Sequence, residues 1–355
     1  MKKTALGTLI GLLGFVLLAE VLFRVLPVST ATKASYHIDP HILSYAPHLS
    51  WRYAVGWDLR NPQYLTNNGH GFVSDHEFKV DSNAVALIGD SYVEAASLNA
   101  ADRPAAQLER ALGGQRPVYA MGASGTALLD YAERIRYAHQ TFGIRDFVVL
   151  MERFDVQQAL CGSGSIHSQC LDSQTFAPRT ERLAPPSAMK RLLRSSALAQ
   201  YLVSQIKLNP ARLLHQIFAS AVPVESTSKH ETPSTSVPVS ALPANLPIPD
   251  VDAVTRAFFE RVRPHVSGRL VIVVDTDRGA LMHRRHIEDP RRQHFIALAR
   301  AAGATVIDPE DMFRQHFEHS QLSLEIGPYD GHLNLLGVKL VADAIVRAFG
   351  TESSQ

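Results

Sequence analysis

The sequence predicts an α/β protein, a three-layer α/β/α sandwich around a central parallel sheet, with one membrane-crossing helix in front of it. Three observations predict this. Short continuous apolar runs recur at 84–88, 117–121, 146–151, 269–274 and 305–307, most of them followed by a turn and a helical stretch. Strands that read as unbroken apolar runs and alternate with helices are the pattern of a parallel sheet covered on both faces. An apolar segment opens the chain behind Lys2 and Lys3, and 46% apolar residues over 355 positions are ample for a large core.

The opening segment, as a helix over 4–26, would be roughly 35 Å long at about 1.5 Å per residue, enough for a hydrocarbon layer of about 30 Å. Glu20 and Arg24 interrupt its far end at i,i+4 spacing, where they can pair or snorkel to the boundary. The two lysines stay in the cytoplasm by the positive-inside rule, which sends everything after Pro27 across the membrane. No clean A-x-A site follows the apolar run, so a retained anchor over 1–27 is the reading adopted; a cleaved signal peptide is the alternative. The expected location is a bacterial inner membrane, crossed once, with the main domain in the periplasm.

Residues 28–82 are rich in aromatics, Pro and Asn without long periodicity and read as a connecting, lid-like region. The main domain is expected over 83–349, with helices at about 103–112, 127–142, 293–302 and 335–349. An insertion at 171–250 interrupts it. Its first part has helical apolar spacing (Leu192, Leu193, Leu198, Leu202, Ile206), and 222–249 is a Pro/Ser/Thr/Val linker too poor in large side chains to build a core. Charge excludes a class of function: 35 basic against 34 acidic side chains leave none of the cationic field that nucleic-acid binding needs.

The only cysteines, Cys161 and Cys170, flank a Gly/Ser-rich loop. In an oxidising compartment they can close a disulfide contributing roughly 2–3 kcal/mol. Two free thiols are the alternative; a metal site with His167 lacks a fourth ligand.

Three segments carry chemistry. Ile88-Gly89-Asp90-Ser91 puts a serine at the carboxyl end of the first sheet strand, where open parallel sheets place their ligands. Asp330-Gly331-His332-Leu333-Asn334 precedes the last helix and offers a base and a group to orient it, as a serine nucleophile requires. Asn334 also suits an ordinary helix cap. After the second strand, Gly122 can expose a backbone N–H that, with the N–H of Ser91, begins an oxyanion hole. A tight strand-to-helix turn accounts for the same glycine equally well. A fourth segment, the loop 277–294, interleaves Arg278, Arg284, Arg285, Arg291 and Arg292 with His283, His286 and His294. It leaves a strand at its carboxyl end and can bind an anionic group by charge-assisted hydrogen bonds, or be a solvated basic loop balanced by Glu288 and Asp289.

The order Gly-Asp-Ser, a glycine after strand two, and Asp-x-His before the last helix resembles the SGNH (GDSL-type) hydrolase superfamily. It is most similar to a bacterial membrane-anchored group related to periplasmic alginate O-acetyltransferases. The likeness spans roughly residues 66–349 outside the insertion and includes Asn68-Gly69-His70-Gly71-Phe72. It implies a flavodoxin-like sandwich, with Ser91 as nucleophile, His332 as base, Asp330 as its orienter, and Ser91 and Gly122 as oxyanion donors. It implies no cofactor and no metal. Two positions depart from the pattern. Phe154 stands where the group has an asparagine that donates to the oxyanion, a loss worth about 2.7–4 kcal/mol; Arg153 and Gln157 are the nearby substitutes. Val73 stands where the group often has arginine.

The resemblance implies an ester hydrolase that removes acyl groups, acetyl first among them, from a cell-envelope or exported glycan. The alternatives are a polysaccharide O-acetyltransferase working with a membrane partner that supplies acyl groups, and a domain that binds glycan or scaffolds a complex without chemistry. Arg153, Arg278, Arg284 and Arg285 are the residues expected to meet the substrate.

Overall fold

The computed structural model describes residues 2–30, 32–208, 250–285 and 288–350. The linker expected at 222–249, and His286, lie outside the described residues.

The chain opens with helix α1 (Lys2–Val25), whose side chains are almost all exposed. Lys3–Val25 is long and apolar enough to cross a membrane. The region expected as a connecting lid holds an antiparallel hairpin, β1 (Ser50–Val55) and β2 (Arg60–Thr66), with Trp51 and Leu65 paired and buried. The alternation there is short and broken by Pro62, which hides it in the sequence.

The main sheet follows: β3 (Val85–Gly89), helices α2 (Ser91–Glu94) and α3 (Pro104–Ala111), β4 (Val118–Gly122), α4 (Leu128–Phe142), β5 (Asp146–Met151) and α5 (Asp155–Gln158). A short antiparallel pair, β6 (Gln169–Leu171) and β7 (Pro178–Thr180), leads into α6 (Ala188–Ser195) and α7 (Ala197–Gln200). The sheet resumes after α8 (Val251–Val262) with β8 (Leu270–Val274), α9 (Arg278–Met282), α10 (Pro290–Ala301), β9 (Thr305–Ile307), α11 (Glu310–His319) and α12 (Leu335–Gly350). Helix α8 packs against the sheet, with Val254 and Phe258 in the same core as Ile88 and Ile272.

The five strands are all parallel, in the order β4-β3-β5-β8-β9. In sheet numbering this is 2-1-3-4-5, the flavodoxin-like order, whose reversal between its first and third strands opens a crevice at their carboxyl ends. The strand residues alternate between two cores, as a period of two demands. Ile88, Met121, Val149 and Ile272 face Leu128, Phe258 and Phe295 of α4, α8 and α10. Leu87, Ala120, Val148 and Val273 face Leu108, Phe313 and Val341 of α3, α11 and α12.

One buried cation locks the crevice. Arg134 of α4 is fully buried and donates to Gly89 O at 2.6 Å, Met121 O at 3.3 Å, Leu43 O at 3.3 Å and Thr126 Oγ1 at 3.0 Å. Its guanidinium lies over the ring of Phe72, 5.7 Å from the centroid. It therefore ties the ends of β3 and β4 together beneath Ser91 and Gly122. The Asn68–Phe72 segment, resembling the family element, builds the other side of this clamp: Asn68 Oδ1 accepts from His70 N and Phe72 N. Replacing Arg134 by leucine leaves several dry acceptors, each worth about 1–3 kcal/mol. Urea unfolding of the full chain in detergent is expected to show a loss of at least about 3 kcal/mol, and a loss under about 1 kcal/mol would remove the clamp's structural role.

Candidate active site

The site forms where β3 ends. A Cβ on Gly89 would meet Leu150 O at 2.3 Å, so only glycine lets β3 lie this close to β5. Asp90 then caps α2, its Oδ1 accepting from Tyr92 N at 2.9 Å, and Ser91 becomes the first helical residue. Gly122 ends β4 in register with Gly89. A side chain there would meet Glu94 N at 2.4 Å and Asp90 O at 2.8 Å, so the glycine is fixed by the close approach of β4 to the Ser91 turn.

The two distant segments meet at this point. Ser91 Oγ lies 2.7 Å from His332 Nε2, and His332 Nδ1 lies 2.5 Å from Asp330 Oδ1. A carboxylate can only accept, so Nδ1 carries the proton and Nε2 is left as an acceptor for the serine hydroxyl. A second acceptor, Asp90 Oδ2, stands 3.2 Å from Oγ. Burial would raise the Asp330 carboxyl, but the hydrogen bonds and charge of His332, with a hydrogen bond from Ser97, outweigh it and hold it at about 2. Burial would lower His332, but the hydrogen bond and charge of Asp330 raise it above its ordinary value. A base of this kind works only when unprotonated, so activity should rise with pH through a value above 6.5, the ordinary histidine pKa. A pH profile of kcat/KM checks this, and an acid limb centred below 6.5 would contradict it.

Further side chains hold these three, and of them only Asn334 is marked by a local pattern. Ser97 Oγ donates to the second oxygen of Asp330. Asn334 caps α12, its Oδ1 accepting from Leu336 N and Gly337 N at 3.0 Å, while its Nδ2 donates to Ser323 O and Glu325 O. Capping by Asn334 and the Asp330–His332 contact therefore coexist in one loop. Glu94 is buried and accepts from Tyr45 Oη at 2.8 Å and from both Ser124 N and Ser124 Oγ at 3.1 Å, which fixes the loop after Gly122.

Arg278 departs from the expectation of a substrate-facing cation. It is buried, bonded to Asp275, to Gly331 O and, at 3.1 Å, to Tyr92 Oη. The strand end delivers it inward rather than onto the rim, where it fastens the loop carrying His332. Arg292 of the same basic segment is likewise buried, against Asp308 and the carbonyls of Val274 and Asp275. Arg284 and Arg285 are exposed. Arg285 lines an open hollow of about 530 Å³ with Arg153, Phe154 and Asp277. Arg153 is paired to Asp277 at 2.8 Å and lies over the Phe154 ring, 4.5 Å from its centroid.

Phe154 has no side-chain donor; its backbone N–H donates to Glu152 Oε2 at 2.9 Å. Burial pushes the Glu152 carboxyl up to about 8, so it holds its proton at neutral pH. Cys161 and Cys170 are joined as a disulfide with Cα atoms 5.1 Å apart. His167 takes no part in it and sits 3.1 Å from Ser163 Oγ.

No family model matches the chain, and no curated protein matches it in sequence. Solved structures overlay it loosely. The lipase/acylhydrolase from Enterococcus faecalis is 10% identical, with a TM-score of 0.39 over 75% of this chain and 95% of that one. A catalytic mutant of an acetylxylan esterase from Geobacillus stearothermophilus is 11% identical, with a TM-score of 0.38 over 76% and 95% of the two chains. A member of the lipolytic protein G-D-S-L family from Veillonella parvula is 10% identical, with a TM-score of 0.37 over 75% and 98%. Overlays this loose leave function to be read from the geometry of the site.

Proposed function

We propose that the chain is a serine-dependent acyl-ester hydrolase of SGNH type, held at the outer face of a bacterial inner membrane. The observation that carries this reading is the 2.7 Å contact between Ser91 Oγ and His332 Nε2, with the far side of the imidazole steadied by Asp330. Ser91 Oγ attacks the ester carbonyl as His332 takes its proton. The tetrahedral oxyanion forms beside the backbone N–H groups of Ser91 and Gly122. Its collapse breaks the bond to the alkoxide, which leaves with the proton from His332. Water, activated by the same imidazole, then releases the acid and restores Ser91. No cofactor enters these steps.

The substrate class that fits is an acylated, in the first instance acetylated, glycan. The exposed Arg284 and Arg285, the latter sharing a hollow with Arg153, offer cations for an anionic one. The apolar helix α1 supports the membrane location, and the Cys161–Cys170 bond supports an oxidising compartment on its far side. The same acyl-enzyme could pass its group to a sugar hydroxyl, given a membrane partner that supplies the acyl donor. Incubating the full chain in detergent with an activated acetyl ester, with and without acceptor glycan, separates the two. Acetate release unaffected by acceptor supports the hydrolase, and acetylated sugar formed in its place refutes it.

A further inference from the structure

Helix α6 has two opposed faces. Lys190, Arg191 and Arg194 lie on one; Met189, Leu192 and Leu193 lie on the other. The apolar face is the unusual one, since Met189 and Leu192 are each 64% exposed. None of the three cations is in an ion pair among the described residues.

The position of this helix is fixed relative to α1. Glu20, one turn before the end of α1, accepts from Ser196 Oγ at 2.7 Å and from Ala197 N and Leu198 N at 3.0 Å. Arg24 pairs with Glu20 at 2.8 Å and reaches Ser195 O at 3.4 Å. Phe23 stacks on Tyr201, ring centroids 4.1 Å apart. On the other side, Tyr201 Oη donates to Trp57 O at 2.8 Å and Gln205 Nε2 to Ala54 O at 2.7 Å, so the insert is fastened to the body as well.

We propose that α6 is an interfacial helix lying on the outer surface of an anionic bilayer, its Met189–Leu192 face among the upper acyl chains and its cations on lipid phosphates. This rests on the reading of α1 as a retained anchor. The end of α1 then marks the membrane boundary, and the contacts from Glu20, Phe23 and Arg24 put α6 at that same level. An apolar face with a basic face opposite is what such a surface accepts. One consequence concerns the site: Lys190, Leu193 and Arg194 also wall a cavity of about 1000 Å³ whose other walls include Ser124 and Tyr329, neighbours of the Gly122 turn and of Asp330. A docked α6 therefore brings one wall of that cavity to the lipid surface.

The test uses the full chain in vesicles of phosphatidylethanolamine and phosphatidylglycerol. Because the native cysteines are bonded to each other, a thiol introduced by Met189→Cys takes an environment-sensitive fluorophore alone. Lipids brominated near the headgroup are expected to quench most of its emission. Reversing Lys190, Arg191 and Arg194 to glutamate is expected to lower the docking equilibrium constant by at least roughly fivefold per residue. A probe placed by Leu13→Cys, read with lipids brominated near the ends of their acyl chains because Leu13 lies near the middle of the span, reports the anchor separately. Quenching at Leu13→Cys without quenching at Met189→Cys overturns the proposal and leaves the anchor standing. Absence of quenching at both overturns the two together.

Discussion

Ser91→Ala is expected to lower acetyl-ester hydrolysis by on the order of 10⁵–10⁶ in kcat while leaving the urea midpoint unchanged. The hydroxyl is the only atom removed, and its partners tolerate the loss: His332 keeps Asp330, and Asp90 keeps its cap on Tyr92 N. A serine-reactive phosphonate should add one adduct to the wild-type chain and none to the variant, read by intact mass. An adduct that persists in Ser91→Ala, or residual activity near the wild-type level, would end the assignment of Ser91 as nucleophile. The starting rate matters to the span that can be measured. By the family resemblance Phe154 replaces an asparagine that would donate to the oxyanion, a deficit of about 10²–10³ in rate, so the proposed hydrolase is expected to be slow on small esters.

The second large effect belongs to Asp330→Asn, expected to cost about 10⁴ in kcat. An amide can donate to Nδ1 and so favours the wrong tautomer, with the proton on Nε2, where the serine hydroxyl then has no acceptor. The same substitution has a signature in pH. Asp330 is what raises His332 against the opposing pull of burial, so without it the acid limb of the residual activity should move to lower pH. A limb that stays in place would show that the carboxylate does not set the base. Ser97→Ala should produce a smaller loss, because it removes one hydrogen bond from the carboxylate rather than the carboxylate itself.

Much of the sheet was legible because its information is local. Val85–Gly89, Val118–Gly122 and Leu270–Val274 are buried on both faces, so each reads as an unbroken apolar run, and the structure places every one within a residue or so of its expected span. Ser91, His332 and Asp330 were nameable because short motifs marked them, although 241 positions separate Ser91 from His332. What the sequence hid is what depends on distant partners. Arg134 occupies a helix whose pattern gives no reason to bury a cation; its acceptors, Gly89 O and Leu43 O, lie 45 and 91 positions away. Arg278 sits in a run of arginines that reads as one basic surface, yet it turns inward because Asp275 and Gly331 O await it there. The hairpin β1–β2 was missed because six or seven residues with a proline carry too little alternation to rise above a loop.

The junction between α1 and the body has almost no slack. Val28 is already buried, Ser29 Oγ accepts from Ala54 N at 3.0 Å, and Arg52 donates to Leu26 O at 3.3 Å, so only Leu26 and Pro27 separate the end of α1 from the first residue docked on the body. Such a span covers roughly 10 Å at full stretch. Under the proposed reading of a retained anchor and an ester hydrolase, so short a leash keeps the site within about one protein's width of the lipid, and esters must be carried to it.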